Sequence, residues 1–442
     1  MSYELLEARQ LVIKAGLELV KNGLIARTWG NISARISDTQ FVITPSGRSY
    51  DSLIPDDIVI VNIKDCSYEG EIKPSGEVAT HAVVYREKPD VNFVVHTHQI
   101  YASAISIMGE NLEDISTYNK SIDNNRHNYE QILSDTIPCA KYAVCCSDAL
   151  AKNVRNCIRR YPDSKSIFLK SHGILCMGED YDDAFLLSTT TEEVCENRYN
   201  YLASGFLEST DRTVDTDYGK SHRQDGRIFL TVDGIDASWP AGYAAKSRRS
   251  DVPRRLRSIA MLHDTLYQDI NVNYVEHIKS PFINTVSRLE KGFKPYIDDQ
   301  AQIIGTDIKN IAIRKFRNRL RRISRVEKAA ADHSAFLLKS GGAIVFGLTE
   351  DDINASSLVL EKGCMAAVIA HLIPAIKPLP RKTAAHMREI YRDSYSKLKD
   401  YALTASTLKD IEKMTSPIIP GVPADMPVSM DSSHSQGNQD QS

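Results

Sequence analysis

Several features that mark particular classes of protein are missing from this sequence. The formal net charge is only -3 over 442 residues, so no overall positive field exists to attract nucleic acid or an anionic membrane. The first residues lack the cationic start and apolar core of a secretory signal, and no apolar run approaches the roughly 20 residues that span a bilayer. We therefore expect a cytoplasmic protein without nucleic-acid or membrane partners.

Cysteine is also used sparingly. Eight cysteines are spread from Cys66 to Cys364 without a CxxC pair, which is typical of reduced side chains rather than of a disulfide framework. The adjacent Cys145 and Cys146 leave a redox-active pair open as an alternative. With 42% hydrophobic residues, the chain has the composition of a globular protein long enough for two or three domains.

Apolar periodicity and turn residues locate the first elements. "PSGEVATHAVVYREKPD", residues 74–90, begins with a helix-start signal and predicts a helix that stops before Pro89. "VNFVVHTH", residues 91–98, has the branched and aromatic content of a buried strand. Residues 166–178 predict two short strands that turn near His172, and a helix follows to about residue 205. The polar residues 210–226 predict a linker.

A weak internal repeat organises the rest of the chain. "SIFLKSHGILCMGEDYDDAF" at 166–185 recurs as "SAFLLKSGGAIVFGLTEDDI" at 334–353 with an offset of 169, which aligns His172 with Gly341. A fainter echo of 89–98 at 268–277 places His96 opposite residue 275 or 276 and His98 opposite residue 277 or 278. The second half therefore reads as a copy that kept its packing pattern and lost its polar residues.

Two histidines at the end of the predicted strand form the strongest candidate site. His96 and His98 occupy alternate positions, so their side chains project from the same face. Neutral imidazoles bind Zn²⁺ and similar ions, and His172 is the best third donor. The pair alone favours ordinary packed or surface histidines, but its loss in the second half raises the case for a metal site. Glu77 is either a site carboxylate or a first-turn residue that stabilises the helix dipole.

A set of ordered motifs resembles a known family. "TWGNISARI", "FVITPSGRSYDSLIPDDIVIV", "EGEIKPSGEVATHAVVYREKPDVNFVVHTHQIYASAIS", "TIPCAKYA" and "IFLKSHGIL" follow one another within residues 1–205. Together they resemble the class II aldolase and adducin family and, within it, the L-fuculose-1-phosphate aldolases. The resemblance implies an α/β fold, a three-layer α/β/α domain around a mixed sheet that assembles as a homotetramer.

The resemblance also implies site residues. A catalytic Zn²⁺, or another divalent ion such as Mn²⁺ or Co²⁺, is expected on His96, His98 and His172, with Glu77 as the catalytic acid and base. Substrate phosphate is expected at five turn residues: Asn31, Ser46, Gly47, Ser75 and Gly76. Gly76 departs from the family, which usually has a serine there. Tyr118 lies near a position where these aldolases use a tyrosine from a neighbouring subunit to protonate the leaving aldehyde.

Four segments follow from the repeat and the resemblance. Residues 1–210 are predicted as the catalytic domain and 225–385 as a degenerate partial repeat of the same fold without metal ligands. Residues 386–415 are predicted as a C-terminal helical segment, and 416–442 as a disordered tail because they are rich in Pro, Ser, Gln and Asp.

The leading hypothesis is a metal-dependent aldolase, a carbon-carbon lyase. It would cleave a small ketose phosphate, similar to fuculose 1-phosphate, into dihydroxyacetone phosphate and an aldehyde through an enediolate. A sugar-phosphate dehydratase, decarboxylase or epimerase of the same superfamily is an alternative, although "QIYASAIS" argues against an epimerase. A non-catalytic scaffold similar to adducin is a further alternative, and the three histidines with Glu77 count against it.

Overall fold

A computed structural model describes residues 2–25, 29–118, 129–210, 216–241, 252–289, 292–313 and 319–392. The predicted disordered tail at 416–442 and most of the predicted C-terminal helical segment lie outside these residues. All statements below concern the described part of the chain.

The first half is built around a mixed sheet. Its strands, within the described ranges, are β1 (Gly30–Arg35), β2 (Gln40–Ile43), β3 (Val59–Asn62), β4 (Phe93–Thr97), β5 (Cys139–Ala140), β6 (Ser166–Leu169) and β7 (Gly173–Gly178). They lie in the order β3-β2-β1-β4-β7-β6-β5, antiparallel except for the parallel pair β5 and β6. The helices are α1 (Leu5–Lys21), α2 (Val78–Glu87), α3 (Ile100–Ser106), α4 (Tyr129–Leu133), α5 (Asp148–Arg160) and α6 (Tyr181–Thr210).

Helices cover both faces of this sheet. Along β4, Phe93 and Val95 pack with α1, α3 and α6, whereas Val94 packs on the opposite face with α2 and α5. This alternation follows from the two-residue period of a strand, and a strand buried on both faces needs a continuous apolar run such as "FVV". The first half is therefore the expected three-layer α/β/α arrangement.

The second half repeats the plan. Its strands, in the part of the chain that is described, are β8 (Lys220–Gln224), β9 (Arg227–Val232), β10 (Ile235–Pro240), β11 (Tyr274–Ile278), β12 (Gly292–Phe293), β13 (Ile308–Ile311), β14 (Ala335–Leu338) and β15 (Ala343–Gly347). Their order is β10-β9-β8-β11-β15-β14-β13-β12. The helices are α7 (Arg257–Leu266), α8 (Pro281–Leu289), α9 (Arg319–Ala330), α10 (Glu350–Leu372) and α11 (Arg381–Ile390). A π-helical turn spans Gln300–Ile304.

Strand pairing confirms the repeat and corrects part of its alignment. Residue 166 pairs with 176 and residue 335 with 345, so β14 and β15 follow β6 and β7 at an offset of 169. His96 pairs with Leu175, and His277 pairs with the equivalent Ile344. His277 is thus the counterpart of His96, and Lys279 that of His98. The predicted register was wrong because the pairing of β11 is set by the neighbouring strands and not by a pattern within its five residues, but the paired histidines are broken as expected.

The predicted linker at 210–226 was also partly wrong. Lys220–Gln224 form β8, which pairs with β9 and β11. Only Ser221 of this strand is buried, so its sequence carries no apolar signal.

The two halves share one hydrophobic core. A single cluster of buried side chains joins α1, α3 and α6 to α8 and α10, and the described residues of both halves fall in one compact unit. The predicted domain boundaries at 210 and 225 stay predictions. Helix α10 is long and apolar enough to cross a membrane, contrary to the sequence-based expectation, but 78% of its most apolar window is buried, as in a core helix.

Candidate metal centre

The three predicted histidines come together at one end of the first sheet. His96 is the second-to-last residue of β4, and His98 follows the strand. His172 lies in the tight turn between β6 and β7. Because β4 and β7 are antiparallel neighbours, the end of one strand meets the start of the other. Residue 173 must be glycine there, since a Cβ would lie 2.3 Å from the Thr97 carbonyl oxygen.

The imidazoles converge through their Nε2 atoms. Nε2 of His96 lies 3.1 Å from Nε2 of His98 and 3.2 Å from Nε2 of His172. Nitrogens bound to one Zn²⁺ at about 2.0–2.1 Å in a tetrahedron are about 3.3 Å apart. The spacing of this histidine triad therefore matches the edges of a tetrahedral site.

Glu77 completes the group from the position immediately before α2. Its Oε2 lies 3.0 Å from Nε2 of His96, and its Oε1 lies 3.0 Å from Nε2 of His172. Glu77 is 5% exposed, so its carboxylate lies buried against the triad. Burial alone raises the pKa of Glu77, but His96 and His172 outweigh it, and the pKa lies well below its ordinary value.

The hydrogen-bond directions test whether a cation fits. Nδ1 of His96 lies 2.9 Å from the Ile174 carbonyl oxygen, which can only accept, so Nδ1 carries the hydrogen and Nε2 presents a lone pair. Burial lowers the pKa of His98 to about 3, so its imidazole is neutral. Once His172 has lost its proton, the three Nε2 lone pairs and the Glu77 carboxylate face one another, which is what a divalent cation requires. The donor set fits a metal ion.

His172 differs from its neighbours in charge. Burial lowers its pKa, but Glu77 and Asp298 favour the imidazolium more strongly, and the net pKa lies well above the ordinary value. A metal ion binds the deprotonated ring, so binding to the metal-free protein releases a proton from this group.

A relay of hydrogen bonds holds Glu77. Asn31 Nδ2 donates to Glu77 Oε2 at 3.2 Å, and Asn31 Oδ1 accepts from His81 Nε2 at 2.5 Å. His81 Nδ1 accepts from the Ser33 hydroxyl at 2.6 Å, and Tyr85 donates to that hydroxyl at 2.7 Å. Burial lowers the pKa of His81 to about 3, which keeps the ring neutral and the direction of the relay fixed.

The second half preserves the outer part of this relay. His263 Nδ1 accepts from the Ser221 hydroxyl at 2.6 Å, and Tyr267 lies 2.8 Å from the same hydroxyl. His263 Nε2 donates to the Tyr218 carbonyl oxygen at 2.7 Å instead of to an asparagine. His81 therefore takes part in the hydrogen bonding that holds Glu77, and His263 is its structural counterpart in the second half.

The predicted phosphate residues line one pocket with the metal centre. Two turns at 45–47 and 74–76 lie side by side, because the Ser75 amide donates to the Thr44 carbonyl oxygen and the Ser46 amide donates to that of Lys73. The pocket is lined by the five predicted phosphate residues with Glu77, His98 and His172, and also by Trp29, Pro45, Cys145, Cys146, Gln302 and Tyr391. All five predicted residues and the centre therefore face the same space.

The departure at Gly76 has a steric cause. A Cβ built on Gly76 would lie 2.7 Å from Sγ of Cys146. Cys146 has a positive φ of 61° and lines the same pocket. The cysteine thus occupies the space that a side chain at position 76 would need.

Tyr118 is not part of this group. Its carbonyl oxygen accepts from Asn197, and Arg198 lies over its ring with 5.9 Å between the guanidinium carbon and the ring centroid. Both partners belong to α6, away from the pocket. The role expected for Tyr118 involves a neighbouring subunit, so its position within one chain does not test it.

The sequence missed the contribution of the second half. Asp298 reaches His172, Asp299 faces His98, and Gln302 and Tyr391 line the pocket. The available signal was the pair of acidic residues in "PYIDDQAQII", residues 295–304, where apolar neighbours on both sides indicate burial.

A family model and several known proteins are similar to this chain. The model of the "Class II Aldolase and Adducin N-terminal domain" family matches residues 10–199 and again 236–368. An L-fuculose phosphate aldolase from Haemophilus influenzae is 33% identical over 199 residues, which cover 45% of this chain and 85% of that protein. A 5-methylthioribulose-1-phosphate/5-deoxyribulose-1-phosphate aldolase from Escherichia coli is 32% identical over 193 residues, 44% of this chain and 84% of that protein. A solved L-fuculose 1-phosphate aldolase is 26% identical, with a TM-score of 0.39 over 45% of this chain and 87% of its own.

Proposed function

Because the chain belongs to the class II aldolase and adducin family and is an aldolase of the carbon-carbon lyase class, we propose that it cleaves a small ketose 1-phosphate to dihydroxyacetone phosphate and an aldehyde. The observation that carries this proposal is the convergence of three Nε2 atoms and the Glu77 carboxylate beside two adjacent turns. A non-catalytic scaffold has no need of that group.

The histidine triad is proposed to hold Zn²⁺, or another divalent ion such as Mn²⁺ or Co²⁺, since imidazole ligands admit several. When bound, the cation supplies Lewis-acid stabilisation of the negative charge that develops next to the ketose carbonyl. Three protein donors from the triad leave room in the coordination sphere for substrate oxygens.

Glu77 is proposed as the acid and base. Its carboxylate is held by Asn31 and lies against His96 and His172, so it could accept the hydroxyl proton of the substrate as the carbon-carbon bond breaks. The same carboxyl group then returns a proton to the carbon of the three-carbon product. Asn31 would therefore have two roles, because it donates to Glu77 and also lines the pocket.

The substrate phosphate is proposed to bind at the two turns. Turn amides and small hydroxyl side chains suit an anion, and Asn31, Ser46, Gly47, Ser75 and Gly76 supply them around one pocket. The relatives' names specify fuculose phosphate and 5-methylthioribulose 1-phosphate, so ketose 1-phosphates of this size are the substrates to test first.

Three further predictions complete the proposal. The enzyme is expected in the cytoplasm and as a homotetramer. Tyr118 is expected to act in the active site of a neighbouring copy of the chain. Light scattering on the purified protein measures the assembly directly.

Metal analysis and a substrate screen test the proposal. The purified full chain should contain about one divalent ion, and incubation with ketose 1-phosphates should release dihydroxyacetone phosphate, measured with a coupled dehydrogenase. His96→Ala should lose both the metal and the activity without unfolding. His222→Ala, an exposed histidine on β8, is the matched control and should keep both. Unchanged metal content in His96→Ala would contradict the centre, and no product from any ketose 1-phosphate would contradict the reaction.

A further inference from the structure

The second half of the chain reaches the metal centre with two consecutive carboxylates, which we name the acidic pair, Asp298 and Asp299. Oδ2 of Asp298 lies 3.1 Å from Nδ1 of His172, and Oδ2 of Asp299 lies 3.6 Å from Nδ1 of His98. Both aspartates are 1% exposed. Each contacts the nitrogen on the far side of the ring from the converging Nε2 atom.

Asp298 is fixed from two directions. The Tyr142 hydroxyl of the first half donates to its Oδ1 at 2.9 Å, and its own amide donates to the Ser171 carbonyl oxygen at 2.9 Å. The second contact ties the acidic pair to the β6–β7 turn that carries His172. The carboxylate therefore cannot move independently of the ligand it contacts.

Asp299 is fixed by a buried lysine. Nζ of Lys362, on α10, contacts Oδ2 of Asp299 and donates to the His98 carbonyl oxygen at 3.0 Å. Lys362 is fully buried at 0% exposure. Nδ1 of His98 is itself buried without a hydrogen-bond partner, so the facing carboxylate is the acceptor within its reach.

From these contacts we propose that Asp298 and Asp299 are positioning residues of the metal centre. The ligands of this centre all come from the first half of the chain, and the second half completes it by holding two of them in place. This inference rests on the proposed metal centre. A carboxylate that accepts from Nδ1 of a ligand histidine fixes the tautomer and the ring orientation and makes Nε2 a better donor.

The charges around the centre support this role over simple packing. Burying a carboxylate is unfavourable unless it is paired, so a segment that only filled space would gain from apolar residues at these two positions. Here the acidic pair and Glu77 place three carboxyl groups around the triad against one ammonium group, that of Lys362. Even with His172 protonated, these groups carry a net negative charge, which favours a divalent cation over an empty pocket.

The placement of the segment within the repeat points the same way. The bridge between Leu112 and Ile137 in the first half corresponds to the pairing of Phe293 with Ile308 in the second. In the second half, the segment that follows Phe293 carries the acidic pair, which faces His172 and His98 of the first half. The second half's own counterparts of the triad, at 277, 279 and 341, are histidine, lysine and glycine. Its buried carboxylates at 298 and 299 therefore serve the triad of the first half and not a site of its own.

Metal affinity of the full-length protein tests the inference. Asp298→Asn and Asp299→Asn should each bind Zn²⁺ and Co²⁺ about 10- to 100-fold more weakly in competition with a chromophoric chelator. The visible spectrum of the Co²⁺ form should change, because ring orientation sets the ligand field. Asp307→Asn is the matched control, since Asp307 is an exposed aspartate of the same half whose ion pair with Lys309 lies at the surface. Wild-type affinity within twofold and an unchanged Co²⁺ spectrum in both variants would overturn the inference.

Two additional variants separate positioning from folding and from the proposed function. Tyr142→Phe removes only the hydroxyl that donates to Asp298, so the fold should persist while metal affinity falls by several-fold. If an aspartate variant fails to fold, wild-type affinity in Tyr142→Phe would count against Asp298 as a positioning residue. His96→Ala tests the centre itself: retained metal there overturns both proposals, whereas lost metal there with normal binding in the aspartate variants overturns only this one.

Discussion

Lys362→Met gives the sharpest test of how the two halves depend on each other. The lysine lies on α10 at 0% exposure, and its ammonium group contacts Asp299 and the His98 carbonyl oxygen. Methionine has nearly the same length and no charge, so the change removes the ammonium group with little loss of packing volume. The variant leaves Asp299 as a buried carboxylate without its cation.

The size of the effect follows from the burial of Asp299. Burial raises the pKa of this carboxyl, but Lys362 and His98 outweigh burial and hold the pKa at about 2, below the ordinary value of 3.8. Since a tenfold change in proton affinity is ~1.4 kcal/mol, this depression corresponds to ~2 kcal/mol. Breaking a buried ion pair by removing one partner costs about 3–5 kcal/mol, because the other charge stays uncompensated. We therefore expect Lys362→Met to lower the free energy of unfolding by about 2–5 kcal/mol.

Urea unfolding of the metal-free protein measures this directly, in a cycle of Lys362→Met, Asp299→Asn and the double variant. The double variant should be at least ~1.5 kcal/mol more stable than the sum of the two single losses, because the stranded charge is gone. Lys377→Met, an exposed lysine of the same half, should stay within about 0.5 kcal/mol of wild type. A Lys362→Met variant within about 1 kcal/mol of wild type, or strictly additive losses, would refute the reasoning.

Three other predictions concern the site and its surroundings. Glu77→Gln should keep the metal and lower kcat about 10²- to 10⁴-fold, since the amide cannot exchange a proton, and a kcat within tenfold of wild type would exclude Glu77 as the acid and base. Burial lowers the pKa of His263 to about 4, from its ordinary value of 6.5. The neutral ring's contribution to the free energy of unfolding is therefore complete above pH 6.5. It is lost as the pH falls from 6.5 towards 4, by ~1.4 kcal/mol for each pH unit. Urea unfolding at about pH 7 and about pH 5 should show a smaller loss in His263→Gln than in wild type, and an equal loss would show that another group titrates. Gly76→Ser alone should raise the apparent KM for a ketose 1-phosphate, because the new Cβ meets Cys146. Gly76→Ser combined with Cys146→Ala should lower that KM, and equal KM values in the two variants would contradict the steric account.

The strand and helix pattern around the triad could be predicted because it depends on local sequence. The apolar run before His96 fixes a strand buried on both faces, and the turn at His172 follows from the two short strands that flank it. Alternation along a strand then aims His96 and His98 at one point. The relative position of His172 and Glu77 came from the family resemblance, since spacing along the chain does not show that distant segments meet.

What sequence could not supply depends on contacts between the two halves. Strand β8 contains polar residues alone, so no apolar alternation marks it in the sequence, and the register of β11 is set by its neighbours rather than by its own residues. The role proposed for Asp298 and Asp299 is visible only in the fold, because the two imidazoles that they face lie more than a hundred positions away in the sequence. His81 likewise reads as a core residue until Asn31 and Ser33 are seen on its two nitrogens.

The common core of the two halves has an evolutionary consequence. If the acidic pair acts as proposed, mutations at 298, 299 or 362 alter the surroundings of the first half's histidines, whereas Gly341, the counterpart of His172, has no such role. The two kinds of position should then drift at different rates among two-half relatives. A gene shortened to the first half would lose part of the proposed centre, so selection would retain a second half that has no histidine triad of its own.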